Sequence, residues 1–210
     1  MLTETRLFTA GEFRRRAERV DRLRAHPQED GDHRFNPGHE RLFQQLRLRD
    51  AAVLIPVVDR GSEATMLLTK RSETLRNHTG QVAFPGGRID PDDRTPENAA
   101  LREADEEIGL AAKYVEVIGR MPDYVSGSGY RIAPVLAVVK PDFDLRLNPA
   151  EVDAAFEVPL RFLMDPANHT MGSRLWGERE WYYYDMPYEN RRIWGVTAGI
   201  IRTLYERLYA

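Results

Sequence analysis

Residues 95–109 run TPENAALREADEEIG, a helix with both of its ends written into it. Thr95 supplies an N-cap, Pro96 takes the first helical position, where a missing N–H does no harm, and Gly109 suits the left-handed residue that closes a helix. Leu101, Ala104 and Ile108 share one stripe, with Ala100 at its edge. At about 100° per residue, Glu103, Glu106 and Glu107 fall together on a neighbouring arc. Glu103 and Glu107 stand one above the other, where like charges repel by ~0.2–0.5 kcal/mol. They also sit in the last turns, where the helix dipole disfavours anions by ~0.3–1 kcal/mol each. A helix shaped only for stability would carry lysine or arginine there. Arg102 points about 100° away from Glu103 and cannot serve all three. A divalent cation can. Hard carboxylate oxygens suit Mg²⁺ or Mn²⁺, which keep waters and share the phosphate oxygens of a substrate. The competing reading is a solvated acidic face that holds nothing.

Working outward, Val82-Ala83-Phe84 is β-like and leads into Pro85-Gly86-Gly87. Further upstream, runs 51–58 and 65–69 are β-like and are separated by Asp59-Arg60-Gly61-Ser62, which predicts a hairpin or neighbouring strands. Downstream, strands are predicted at 114–119, 132–139 and 181–184, and helices around 159–164 and 197–209. At the other end, Thr9 and Glu12 make a capping box, and Phe13, Ala17, Val20 and Leu23 recur at helical spacing until His26-Pro27. Residues 28–38 read as a loop. Glu12, Glu18 and Asp21 intersperse Arg14-Arg15-Arg16, which favours a solvated helix face over a nucleic-acid arm. Strands alternating with helices predict one domain of α/β (α+β) class with a mixed β-sheet.

Composition narrows the functions. The chain has 210 residues, 42% hydrophobic and 30% charged, enough for a core of its own. It has no cysteine, which excludes a disulfide scaffold, a thiol nucleophile and cysteine-ligated metal. Its apolar runs, such as 53–58 with Pro56 inside, fall far short of the ~18 residues of a membrane span. The opening MLTETRLF lacks the apolar region of a secretory signal and the closing RLYA is no receptor-read address. The expectation is a cytoplasmic protein acting on a small molecule, with no membrane partner. A net charge of −3 argues against general nucleic-acid binding. Of the 30 basic residues 27 are arginine, the better fork for phosphate.

The acidic helix sits in a wider pattern. Pro85-Gly86-Gly87 precedes a loop with Asp90, Asp92 and Asp93, then Arg102-Glu103, Glu106-Glu107 and Gly109. In this the sequence resembles the Nudix box: G, five residues, E, seven residues, then R-E-U-x-E-E-x-G-U. The second half matches throughout, with Ala104 and Leu110 at the aliphatic positions. The first half departs: Asp93 stands where the first glutamate belongs, one residue too far from Arg102. The upstream run Leu67-Leu68-Thr69-Lys70-Arg71-Ser72, Arg76, Gly80 and Phe84-Pro85-Gly86-Gly87 is similar to the signature of the coenzyme A diphosphatase branch, L-L-T-x-R-S, R, G, F-P-G-G at fixed spacing. Looser likeness continues through Gly129-Tyr130, Ile132, Pro134, Glu151-Val152, Val158-Pro159-Leu160 and Ile193-Trp194-Gly195.

The resemblance implies a Nudix-type α/β/α sandwich, with residues 1–40 as a helix-and-loop extension and 41–210 as the Nudix hydrolase domain. It implies metal-dependent hydrolysis of the diphosphate bond of coenzyme A or its thioesters, giving 3',5'-ADP and a 4'-phosphopantetheine product. The alternatives are another nucleoside diphosphate derivative, such as ADP-ribose, or a non-catalytic nucleotide-binding module. Glu103, Glu106 and Glu107 would hold Mg²⁺ or Mn²⁺. The general base would be Glu106 or Glu151, the latter read equally as the acid of a helix start. Arg71 and Arg76 would pair with substrate phosphates, Gly86 and Gly87 would let the backbone approach the site, and Arg102 would orient a carboxylate. For Trp181, Tyr182, Tyr183, Tyr184 and Tyr188, packing in a core is favoured over stacking on an adenine. Trp194 reads as packing near the last helix.

Overall fold

The computed structural model describes residues 6–23, 30–74, 79–177 and 179–210. His26-Pro27, Arg76 and His78 lie outside the described residues, as do the side chains of Val20 and Leu23. Helix α1 (Ala10–Leu23) begins where Thr9 Oγ1 accepts from the Glu12 N–H at 3.2 Å. It is followed by β1 (Asp30–Gly31), α2 (Glu40–Gln45), β2 (Arg49–Val58), β3 (Thr65–Arg71), β4 (Val82–Ala83), β5 (Gly86–Arg88) and α3 (Pro96–Ile108). Then come β6 (Val115–Arg120), β7 (Tyr124–Ser126), β8 (Tyr130–Val139), β9 (Val152–Pro159) and α4 (Leu160–Leu163). The chain ends in β10 (Thr170–Trp176), β11 (Arg179–Tyr188), β12 (Arg191–Trp194) and α5 (Val196–Leu208).

Among the described residues nine strands form one mixed sheet in the order β1-β7-β8-β2-β3-β4, with β5 on β2, β6 on β8 and β9 on β3. Its spine is the parallel pair β2–β8, in register from Arg49 opposite Tyr130 to Val58 opposite Val139. Parallel strands need a long crossover, and here the connection carries α3. Both spine strands are buried on both faces. Ile55, Val57, Leu136 and Val138 join the core shared with α1 and α5, while Ala52, Leu54, Val135 and Ala137 join the core under α3. Fully burying a Leu or Ile contributes about 1.5–3 kcal/mol, so the two cores fasten helices to both faces. The result is the α/β/α sandwich. Among the described residues no helix is long and apolar enough to cross a membrane.

Several elements differ from expectation. Segment 28–38, read as a loop, contains β1, paired in parallel with β7, and a 3-10 turn (Asp32–Phe35). The aromatic run belongs to a second, three-stranded antiparallel sheet, β10-β11-β12. Arg14, Arg15 and Arg16 are spent on ion pairs: Arg14 with Glu116 at 2.7 Å, the other two with Glu12 at 2.6 Å. Phe13 and Ala17 enter the main core from the same helix.

Candidate active site

Helix α3 takes its position from its ends and its alanines. Thr95 Oγ1 accepts from the Asn98 N–H at 3.2 Å, and Gly109 adopts φ 69°. Ala99, Ala100, Ala104 and Ile108 are fully buried against β2 and β8. Small residues on that stripe let the helix lie close to the sheet, which leaves its carboxylate arc beside the Gly86–Gly87 backbone.

On the solvent side of the arc, Arg102 is the organiser. Its Nε and Nη2 donate to Asp93 Oδ1 and Oδ2 at 2.8 and 3.0 Å, a bidentate pair. Its Nη1 lies 2.8 Å from Glu106 Oε2 and 3.1 Å from Glu103 Oε1. The arginine thus reaches two of the three arc glutamates, because its fork spans further than its Cβ direction suggests. Hydrogen bonding to Arg102 holds the Asp93 carboxyl below the usual range, and the same pair raises the guanidinium. Asp93 also accepts from the Asp90 N–H at 2.7 Å. The chain then turns through Arg94, at φ 62°, into the Thr95 cap.

Toward the sheet the one cation on the arc among the described residues is Arg71, at the limit of an ion pair. Glu107 is 2% exposed and accepts from the Gly86 N–H at 3.2 Å, with Arg71 Nη1 no closer than 3.9 Å. Burial pushes its carboxyl up to about 7, opposed by Gly86 and Arg71 and assisted by Glu103 and Glu151. Burial also raises Glu103, opposed by Arg102 and assisted by Glu106 and Glu151. The two glycines are dictated by close approach. A Cβ on Gly87 would lie 2.5 Å from the Glu103 carboxyl, and one on Gly86 would lie 2.7 Å from Val53 Cα.

Glu151 belongs to the same cluster but not to a helix, which corrects the reading of it as a helix-start acid. It sits in a turn that opens β9, and its carbonyl accepts from the Ser72 N–H at 2.8 Å. Asn148 fixes the turn, donating Nδ2 to Glu151 Oε1 at 3.0 Å and its own N–H to the Glu107 carbonyl at 2.9 Å. The structure therefore gathers Glu103, Glu107, Glu151, Arg71, Gly86 and Gly87. Glu106 stands at the exposed rim on Arg102, and Arg76 lies outside the described residues.

Among the described residues no three carboxylates already converge as a metal cage. The donor set nevertheless fits a hard divalent cation. It is all oxygen, and burial, with neighbouring carboxylates adding to it, raises both Glu103 and Glu107, a bias that a cation relieves.

Past the glycine pair opens a cleft of about 390 Å³. Arg71, Gly86, Gly87 and Arg88 line one end of it, and Trp176, Trp181, Tyr183 and Trp194 line the other. Trp181 is buried, stacked on Phe43 at 5.7 Å, while Tyr182 is exposed. Trp194, expected beside the last helix, faces the cleft and meets Tyr183 edge-on at 5.4 Å. Sequence reading passed over Arg88, Arg174 and Trp176. The available signal was the period of two in β11, which puts Trp181 and Tyr183 on one face; the partner strands show no such pattern.

The fold thus brings together a glycine pair, a capped acidic helix and an arginine-ordered carboxylate cluster, and comparison with known proteins identifies the family. Residues 48–185 match the model of the NUDIX domain. A Nudix hydrolase designated NudL, itself uncharacterized, from Yersinia pestis is 42% identical over 81% of this chain and 84% of its own length, as is a NudL from Yersinia pseudotuberculosis. The chain belongs to the Nudix hydrolase family, enzymes that act on pyrophosphate bonds. Among solved structures, DR0079 from Deinococcus radiodurans is similar with a TM-score of 0.51 at 14% identity, over 77% of this chain and 86% of that one. A Nudix hydrolase from Alicyclobacillus acidocaldarius gives 0.48 at 21% identity, over 77% and 93%.

Proposed function

We propose that this enzyme hydrolyses the diphosphate bond of coenzyme A or its thioesters to 3',5'-ADP and 4'-phosphopantetheine or its acyl derivative, in the cytoplasm. The observation that supports this reading is where the residues resembling the coenzyme A diphosphatase signature lie. Arg71, Gly86 and Gly87 line the cleft, and the same glycines abut Glu103 and Glu107. A diphosphate lying along that backbone touches both the signature and the acidic arc.

Glu103 and Glu107, with Glu106 at the rim, would hold Mg²⁺ or Mn²⁺. Such an ion neutralises charge on the diphosphate oxygens and lowers the pKa of a bound water. The remaining work falls to the chain. Arg71 presents a buried Nε with no hydrogen-bond partner among the described residues, a donor placed for a phosphate oxygen. Gly86 keeps one oxygen of Glu107 fixed, and Arg102 bridges Glu103 and Glu106 against their mutual repulsion. Glu151, tied to Asn148 and free of any arginine in its turn, is the better placed general base of the two candidates.

Incubation of the protein with coenzyme A, ADP-ribose and a diadenosine polyphosphate, each with Mg²⁺, Mn²⁺ or chelator, tests the reading. Metal-dependent release of 3',5'-ADP well above the other products is expected. Preferential cleavage of ADP-ribose would keep the acidic cluster and overturn the substrate. Glu151→Gln is expected to slow turnover about 100-fold or more; an unchanged rate would move the base to Glu106.

A further inference from the structure

The far end of the cleft has no part in the chemistry above, yet it is built from unlike pieces that converge. Trp176 is 49% exposed at the rim and meets Trp181 edge-on at 5.0 Å. Arg174, on the same strand, rests its guanidinium 5.6 Å from the centre of the Trp194 ring and has no ion pair among the described residues. The one carboxylate lining this cleft among the described residues is Asp32. Both its oxygens are already engaged, by the Tyr124 hydroxyl at 2.6 Å and the Gly127 N–H at 2.8 Å. Against it stand Arg71, Arg88 and Arg174. The cleft is therefore cationic at both ends and flat and aromatic at one.

We propose that the β10–β12 end of the cleft seats the nucleoside of the substrate, its base stacked on Trp176 and a phosphate on its ribose paired with Arg174. This rests on the proposed function and adds to it the orientation of the substrate. The flat rings and the Arg174 guanidinium, which acts on Asp32 only from beyond ion-pair distance, suit a planar base that carries a second anion. The flexible pantetheine arm carries no anion of its own to pair with the guanidinium. The diphosphate then lies toward Arg71 and Arg88, and the pantetheine arm leaves past the acidic arc. Arg174 would be a specificity residue, separating a 3'-phosphorylated nucleoside from a plain one, and it sits on a sheet remote in sequence from every signature residue.

Kinetics of Arg174→Gln and Trp176→Ala on coenzyme A and 3'-dephospho-coenzyme A test this, beside calorimetric binding of 3',5'-ADP and 5'-AMP to the chelator-treated protein. Both side chains are exposed, and unchanged thermal midpoints would show the variants folded. Arg174→Gln is expected to raise KM for coenzyme A about ten- to a hundred-fold and to leave 3'-dephospho-coenzyme A within about two-fold, erasing the preference. Trp176→Ala is expected to raise KM for both by about ten-fold, with kcat little changed. If coenzyme A is hydrolysed and neither variant alters KM or 3',5'-ADP binding, the orientation is wrong and the activity stands. If coenzyme A is not hydrolysed but 3',5'-ADP binds in an Arg174-dependent way, the nucleoside seat stands and the activity reading falls. Failure of the wild-type protein in both assays overturns both.

Discussion

Asp93, in the turn that precedes α3, and Glu107, in the last turn of that helix, are each almost wholly buried, and they are held in opposite electrostatic states. Asp93 meets Arg102 through two hydrogen bonds, and its carboxyl is lowered. Glu107 meets one backbone N–H and a distant Arg71, and its carboxyl is raised to about 7. The first is a completed ion pair, which holds the loop before α3 to the helix. The second is a carboxyl with only a distant ion-pair partner, at the end of a helix whose dipole already disfavours its charge. An incomplete site next to a completed one is what a protein needs when the missing charge arrives with a ligand.

Replacing the weakly paired carboxyl breaks the comparison on its functional side. Glu107→Gln and Glu103→Gln are each expected to lower kcat on the cleaved diphosphate by about 100-fold or more, since loss even of groups that only support a metal ligand costs ~10–100-fold. The thermal midpoint of the metal-free protein is expected to stay or rise, because a repulsion is removed. Initial rates at saturating Mg²⁺ beside a thermal melt decide it. Near-normal rates would take the metal role away from these residues.

The completed pair predicts the reverse pattern. Arg102→Ala leaves Asp93 buried without its partner, and removal of one member of a buried pair costs about 3–5 kcal/mol. Arg102 is 29% exposed, so about 2–3 kcal/mol is the expected loss, seen as a lower denaturation midpoint. Arg102→Lys keeps the charge but not the fork and is expected to fall between. A variant as stable as the parent would mean that Asp93 is not held by the arginine.

That contrast was half visible in the sequence. The helix could be read from Thr95, Pro96 and Gly109 because caps are local chemistry, and the glutamate arc followed from helical geometry alone. β2, β3 and β8 were legible as largely apolar, β-like runs. What stayed hidden depends on distant partners. β5 is made of Gly86, Gly87 and Arg88, residues poor in strand propensity that become a strand only because β2 offers them an edge. β9 holds Ala154-Ala155 and owes its extension to β3. The difference in burial between Glu106 and Glu107, neighbours in sequence, appears only once the sheet covers one of them. The aromatic wall was legible as residues but not as a place, since Trp176 and Trp194 reach it from β10 and β12.

The smallest effect is also the sharpest discriminator between the two carboxylates. Glu107 is faced by Arg71 from β3, the Gly86 N–H from β5, Glu103 on its own helix and Glu151 from the turn before β9. With metal absent, the unfolded chain releases the Glu107 proton near the ordinary value of 4.5, whereas the folded protein keeps it to about 7. Unfolding therefore releases a proton across that window, and stability falls as pH rises from about 4.5 to about 7, then levels. The full shift corresponds to at most ~3 kcal/mol, and relaxation of the site brings the expectation to ~1–2 kcal/mol. The lowered Asp93 has the opposite sign, with its contribution lost only as pH falls below the ordinary carboxylate range. Denaturant unfolding of chelator-treated wild type and Glu107→Gln at several pH values between 5 and 8 isolates the contribution of Glu107 and of Glu103 and Glu151 coupled to it, since titrations elsewhere cancel in the subtraction. Saturating Mg²⁺ is expected to abolish the decline by favouring the carboxylate form. A difference that does not change with pH would mean that Glu107 is ionised throughout, as well paired as Asp93, and the distinction between the two carboxyls would be gone.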